Sequence, residues 1–133
     1  MEEVAEFVKE EYAKGEKVVE VGVGRQDGTA RALREAGFEV TATDARDVED
    51  DVGGVGFVRD DVSSPQKAVY EGASLVYSLR PPYEIHAAID SVAREVGADT
   101  LLVPLADEGT PLESDRDFEL VNHGGRGFFV RRC

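Results

Sequence analysis

Val18-Val19-Glu20-Val21-Gly22-Val23-Gly24 sets an acid and two glycines where a β-branched run ends. Glycine lets the backbone turn tightly there and leaves room for a ligand. A helix that follows aims its N–H groups and positive end at whatever lies above the turn. The dinucleotide pattern G-x-G-x-x-G would place a third glycine at position 27, where the chain has Asp27. A carboxylate faces a pyrophosphate badly, which counts against NAD or FAD. A phosphate-free ligand with a cationic amino group suits an acidic rim better. Glu20 lies inside the valine run, where burying a bare carboxylate is costly. Near the strand's C-terminal end it can reach the crevice where open α/β sheets bind ligands. Alternatively it pairs with an arginine or caps a helix.

Further acids fall at predicted strand ends. Asp44 closes the second strand, where a carboxylate can accept two hydrogen bonds from a ribose diol. Asp60 and Asp61 close the third, where an acid or its neighbouring backbone can read an adenine amino group. With 28 acids in 133 residues, any single match of this kind is cheap. Asp47, Glu49, Asp50 and Asp51 read as a solvated acidic face. Ser78, at the end of the fourth strand, is counted with the cofactor-binding residues. It opens Ser78-Leu79-Arg80-Pro81-Pro82-Tyr83, the most distinctive stretch. Two prolines stiffen this turn. Arg80 can grip a carboxylate or phosphate bidentately, and Tyr83 can stack on a planar group. The alternative is a proline-stiffened helix start, with Tyr83 as a packing staple and Arg80 paired to an acid. His86 reads as a surface residue or one behind the site, and His123 as solvent-exposed. No His/Cys spacing suggests a metal, and no Ser/His/Asp arrangement is recognisable.

The elements that must position these residues follow from periodicity. Residues 2–14 have helical apolar spacing and stop at Gly15. Strands are expected at 17–21, 38–43, 56–59, 73–78 and 100–105. Asp27 is the expected N-cap of a helix to Glu35. A short helix opens at Ser63-Ser64-Pro65. Tyr83 to Val96 forms an amphipathic helix closed by Gly97. Residues 45–55 read as a loop with at most one helical turn, and 106–115 as a polar loop. Phe118–Val121 and Phe128–Val130, joined by Asn122-His123-Gly124-Gly125-Arg126-Gly127, signal a hairpin. Alternating strands and helices imply a mostly parallel sheet with helices on both faces, and the hairpin adds an antiparallel edge. That order is expected of a methyltransferase-type sheet, a Rossmann-like α/β class.

The length fits one domain, residues 1–133. No stretch approaches the roughly 18 consecutive apolar residues of a membrane span, and the acidic start does not resemble a signal peptide. A cytoplasmic location is expected. The single cysteine, Cys133, permits no intramolecular disulfide and sits at a chain end, where mobility is usual. The net charge is −13, and only Lys9, Lys14, Lys17 and Lys67 are lysines. Acid excess with few lysines is the look of a halophilic protein, whose carboxylates hold water while molar salt screens their repulsion. Nucleic acid is not indicated, because phosphate contacts need Lys and Arg. In a halophile, though, background charge says little about partners.

Glu20-x-Gly22-x-Gly24, Asp44, Asp60-Asp61 and the Pro-Pro-Tyr turn resemble class I S-adenosylmethionine-dependent methyltransferases. Val19–Arg25, Phe57–Val62 and Tyr77–Glu84 together are similar to a family of small archaeal proteins with that fold, across roughly residues 2–130. The resemblance implies an S-adenosylmethionine crevice in which Glu20, Gly22 and Gly24 line the methionine part, Asp44 the ribose, and Asp60 or Asp61 the adenine. It brings no substrate. Arg80 stands where amino-group methyltransferases carry Asn or Asp, and a guanidinium cannot accept a hydrogen bond from a target amine. The helix after the second strand is missing or nearly so, and there is no separate substrate-recognition domain.

Two functions follow as expectations. One is a small methyltransferase, with Arg80, Tyr83 and Glu84 holding an acceptor and a protein partner supplying recognition. The other is a non-catalytic cofactor or nucleotide binder acting as a sensor or subunit.

Overall fold

The computed structural model describes residues 1–24, 26–46, 55–105 and 109–133. Arg25, the acids at 47, 49, 50 and 51, and most of the expected 45–55 loop lie outside the described residues. Helix α1 (Glu2–Glu11) precedes strand β1 (Lys17–Val21), and α2 (Gly28–Glu35) leads to β2 (Glu39–Asp44). Then come β3 (Gly56–Arg59), α3 (Lys67–Tyr70), β4 (Ala73–Leu79) and α4 (His86–Val96). Strand β5 (Asp99–Val103) and the hairpin β6 (Phe118–His123) and β7 (Arg126–Arg131) complete the chain.

All seven strands form one sheet in the order β3-β2-β1-β4-β5-β7-β6. Pairing is parallel from β3 to β5 and antiparallel at β7 and β6. This is the expected α/β class. Strand order reverses between the parallel β1 and β4, so the ligand crevice of such folds falls at their carboxyl ends.

Successive strand residues point to opposite faces. Val18, Leu75, Tyr77 and Leu101 share one apolar layer with Phe7 and Val8 of α1 and Leu33 of α2. Val19, Val21, Val76 and Leu102 form the other with Tyr70 of α3 and Ile89 and Val92 of α4. Both faces are therefore covered, which explains why valines occupy both faces of β1.

Several expectations need correction. Helix α1 ends at Glu11 rather than 14: Tyr12 is extended and its hydroxyl donates to Asp99 Oδ2. Asp27 stands at the N-cap of α2 without a side-chain cap bond; its carboxylate accepts from Arg31 Nε at 2.9 Å instead. The short helix starts at Lys67, after the turn at Ser63-Ser64-Pro65. The first turn of the Tyr83–Val96 segment is 3-10, with the α-helix starting at His86. Strand β5 stops at Val103 because Pro104 has no N–H for the ladder. The hairpin turn is Gly124-Gly125, with φ of 58° and 83°, as a type I′ turn requires. His123 is half-buried rather than exposed, with its ring edge toward Phe7 and Nε2 3.1 Å from Glu10.

Behind the sheet, Asp90 of α4 gathers three donors. Arg131 Nε (2.6 Å) and Thr100 Oγ1 (2.7 Å) reach one oxygen, and Arg94 Nε (2.7 Å) reaches the other. Burial alone would raise the Asp90 carboxyl, but these bonds hold it below its ordinary value. The cluster ties α4 to β5 and β7. Arg131→Met leaves the carboxylate buried beside fewer donors, so urea unfolding is expected to show a loss of about 3–5 kcal/mol. A loss below about 1 kcal/mol would mean the cluster does not hold the hairpin to the sheet.

Candidate functional site

Register and parity bring the first site residues together. Glu20 pairs with Tyr77 across β1 and β4, on the face where Val18 and Leu75 are buried. Its side chain is 1% exposed, and Tyr77 donates its hydroxyl to Glu20 Oε1 at 2.8 Å. Neither an arginine partner nor a helix cap is found among the described residues. Burial pushes the Glu20 carboxyl up to about 7, although the Tyr77 bond works the other way.

Glu20 nevertheless reaches open space. A cavity of about 550 Å³ over the glycine turn is lined by Glu20, Gly22, Gly24, Gln26, Glu3, Arg80 and Arg126, among others. Gly22 and Gly24 have φ of 75° and 53°, so the turn does require glycine. The amides of the turn are already engaged. Gly22 and Val23 both donate to Thr43 O, at 2.8 and 2.9 Å. Gly24 donates to Asp44 Oδ2 at 2.8 Å. A nest of free N–H groups for phosphate is therefore not formed here.

Asp44 is nearly buried, and its other oxygen accepts the Arg46 N–H at 2.9 Å. It lines a second cavity, of about 360 Å³, with Val21, Gly22, Asp60, Asp61, Pro82 and Ile85. Gly22 is common to both cavities.

Two expected site residues, Ser78 and Tyr83, line neither of these cavities, and the two acids after β3 line the second in different ways. Asp60 is buried, and its carboxylate accepts from Gln66 N (2.8 Å), Gln66 Nε2 (3.2 Å) and the Tyr70 hydroxyl (2.5 Å). Those donors occupy it in fixing the start of α3. Asp61 beside it is exposed, with Oδ1 accepting the Ser63 N–H. Ser78 is buried and donates to Val21 O at 2.7 Å, lining neither cavity. Its hydroxyl ties β4 to the end of β1. Tyr83 is 44% exposed on the surface, its ring 5.7 Å from that of His86, and lines neither cavity; Glu84 is exposed too.

Arg80 does line the first cavity. Its φ of 55° makes it left-handed, unusual without glycine and worth about 1 kcal/mol of strain. The bond from its N–H to Val103 O (2.7 Å) and the stiff prolines hold it there. His86 is buried rather than on the surface. Its nitrogens meet Thr110 Oγ1 at 2.9 Å and Pro81 O at 3.1 Å, which pins the proline turn. Glu3, Gln26 and Arg126 escaped the sequence reading because α1 and the hairpin turn reach the cavity only through the fold.

A third cavity, of about 560 Å³, adjoins the first through Glu3, Arg80 and Arg126, and runs between Pro104-Leu105 and the Gly124–Gly127 turn. Among the described residues, no group of three or more His, Cys, Asp or Glu is placed to hold a metal. No helix among them is long and apolar enough to cross a membrane.

The "Uncharacterised protein family (UPF0146)" matches residues 1–133. An Archaeoglobus fulgidus UPF0146 protein is 45% identical over 132 residues, spanning 99% of this chain and 95% of its own. A Halobacterium salinarum relative is 49% identical over 94 residues, 69% of this chain and 70% of its own. The crystal structure of a TehB-like SAM-dependent methyltransferase from Corynebacterium glutamicum superposes with a TM-score of 0.66 at 17% identity, covering 96% of this chain and 84% of that one. The glycopeptide N-methyltransferase MtfA, complexed with S-adenosylmethionine, gives 0.57 at 19% identity, over 98% and 65%. At such identities these likenesses establish the methyltransferase-like fold.

A carboxyl raised to about 7 binds its proton more tightly folded than unfolded. Its cost is absent below about pH 4, grows as pH rises, and reaches about 3 kcal/mol above pH 7. Glu20→Gln is therefore expected to raise the melting temperature by several degrees at about pH 8 and to change it little at about pH 4. Equal shifts at both would show that Glu20 is not a strained acid.

Proposed function

This chain belongs to the UPF0146 family, and we propose that it binds S-adenosylmethionine as one domain and transfers its methyl group to a small acceptor. The observation that carries the reading is the buried Glu20 carboxyl facing a cavity over a glycine turn whose amides are already engaged. A phosphate finds the Gly22, Val23 and Gly24 amides already taken. A ligand ammonium finds a carboxyl with no ion-pair partner among the described residues, the Met1 ammonium that lines the same cavity acting on it only from a distance.

Each part of the cofactor would have residues to meet it. Glu20 would hold the ammonium, with Gly22 and Gly24 giving the backbone clearance beneath the methionine part. Asp44 would accept from the ribose hydroxyls through its remaining lone pairs, while Gly24 and Arg46 fix its orientation. Asp61, which accepts one bond where Asp60 accepts three, would meet the adenine amino group. When bound, the cofactor supplies a methyl group activated by a sulfonium. The chain's part is positioning: Arg80, clamped at the cavity border, orients an acceptor toward the methionine part. Tyr83 would act only at the rim.

A non-catalytic binder is the second reading, favoured by Arg80 in the place of a hydrogen-bond acceptor. In the first reading a protein partner would complete substrate recognition. The acid excess, the few lysines and the Halobacterium relative support a cytoplasmic protein adapted to salt.

Calorimetry in molar KCl is expected to show binding of S-adenosylmethionine and of its demethylated product, and none of NAD. Asp44→Ala should weaken cofactor binding by about tenfold or more, since bonds to a charged acceptor are worth about 1.5–3 kcal/mol. Unchanged affinity in the variant removes the ribose assignment, and binding of NAD alone overturns the reading.

A further inference from the structure

The third cavity is framed by two arginines in a chain of net charge −13. Arg126 Nε is buried and has no hydrogen-bond partner. It forms an ion pair with Glu3, whose Oε2 stands 3.6 Å away, longer than a hydrogen bond. Arg80 has no carboxylate partner among the described residues, although acids abound. Its backbone is held in a strained left-handed conformation at the border of both cavities. A strained residue at a cavity wall persists when the surroundings hold it there and is a mark of function. Gly124 comes so close to α1 that a Cβ there would meet Glu3 Cγ at 3.2 Å. This approach sets Arg126 beside Glu3 and leaves the turn without side chains to fill the cavity. Val103, Pro104 and Leu105 give the opposite wall an apolar character.

We infer that this cavity seats a small acceptor with a short apolar body and an anionic handle, a carboxylate or a phosphate, gripped between Arg80 and Arg126. The acceptor's role rests on the cofactor reading above; the anion site does not. An incoming anion meets two guanidinium groups and one carboxylate. Glu3 is the internal anion that it must outbid for Arg126. The surrounding negative field does not forbid this, because at about 1 M salt the screening length is about 3 Å and only contact pairs survive. Arginine suits such a handle because its planar fork matches carboxylate and phosphate oxygens.

The test is arginine Nε–Hε NMR on the cofactor-free protein in molar KCl, titrated with glutarate, glycerol 3-phosphate or neutral glutaramide. Arg80 and Arg126 signals should move together and saturate with an anion but not with glutaramide, and the tighter anion names the handle. Arg126→Gln should weaken binding by about tenfold. Glu3→Gln should tighten it by about threefold. Arg80→Gly relieves the left-handed strain, so it should weaken binding by about tenfold with no fall in melting temperature. No saturable shift with either anion, equal shifts with glutaramide, or undiminished binding in Arg126→Gln and Arg80→Gly would overturn the anion site. Cofactor binding is read separately by calorimetry on the unaltered protein. Anion failure with cofactor binding intact removes this inference alone. Anion binding without cofactor binding removes the acceptor role and the cofactor reading, and leaves an anion site.

Discussion

A carboxyl group buried at the end of a strand, with one phenol beside it, constrains the rest of this molecule. Glu20 shares its sheet face with Val18 and Leu75, and Tyr77 is set against it by the β1–β4 register. An acid in that position opposes folding once ionised. Packing gains nothing from it that a valine would not supply. What distinguishes the position is the cavity it faces, at the place where strand order reverses. A cationic group arriving there would restore the ionised form that burial disfavours.

The remaining elements make that cavity part of a longer cleft. Thr43 O and Asp44 engage the glycine-turn amides and hold the turn open rather than collapsed on the sheet. His86 and Thr110 fix the proline turn on one side. The Asp90–Arg131–Thr100 cluster anchors the hairpin strand from behind, so that the Gly124-Gly125 turn can deliver Arg126 on the other. Acids thus mark the expected cofactor end of the cleft, and Arg80 and Arg126, shared by the first and third cavities, mark the other.

Local chemistry was legible in the sequence, and long-range partnership was not. Strand β1 follows from its β-branched run, and the hairpin from adjacent glycines that tolerate positive φ. The third-glycine position occupied by Asp27 already argued against a pyrophosphate. By contrast, Glu20's partner is 57 residues away, and only the register reveals it. Asp90 carries no signal of its own in the amphipathic pattern of α4, because Arg131 meets it from 41 residues on. Asp60 and Ser78 sat at the right strand ends with side chains already engaged by Tyr70, Gln66 and Val21. Arg126 carried no motif at all; a turn residue becomes part of a cavity only when the hairpin folds against α1.

The central claim is that Glu20 is an electrostatically unsatisfied acid awaiting a cation. Its carboxyl carbon, isotopically labelled and followed by NMR against pH, tests that most directly. The free protein should show a midpoint near the value of about 7. Saturating S-adenosylmethionine should drive it down by at least about one pH unit, because a nearby opposite charge favours the ionised form. A midpoint in the ordinary glutamate range without ligand, or one that the cofactor leaves unmoved, would contradict the account.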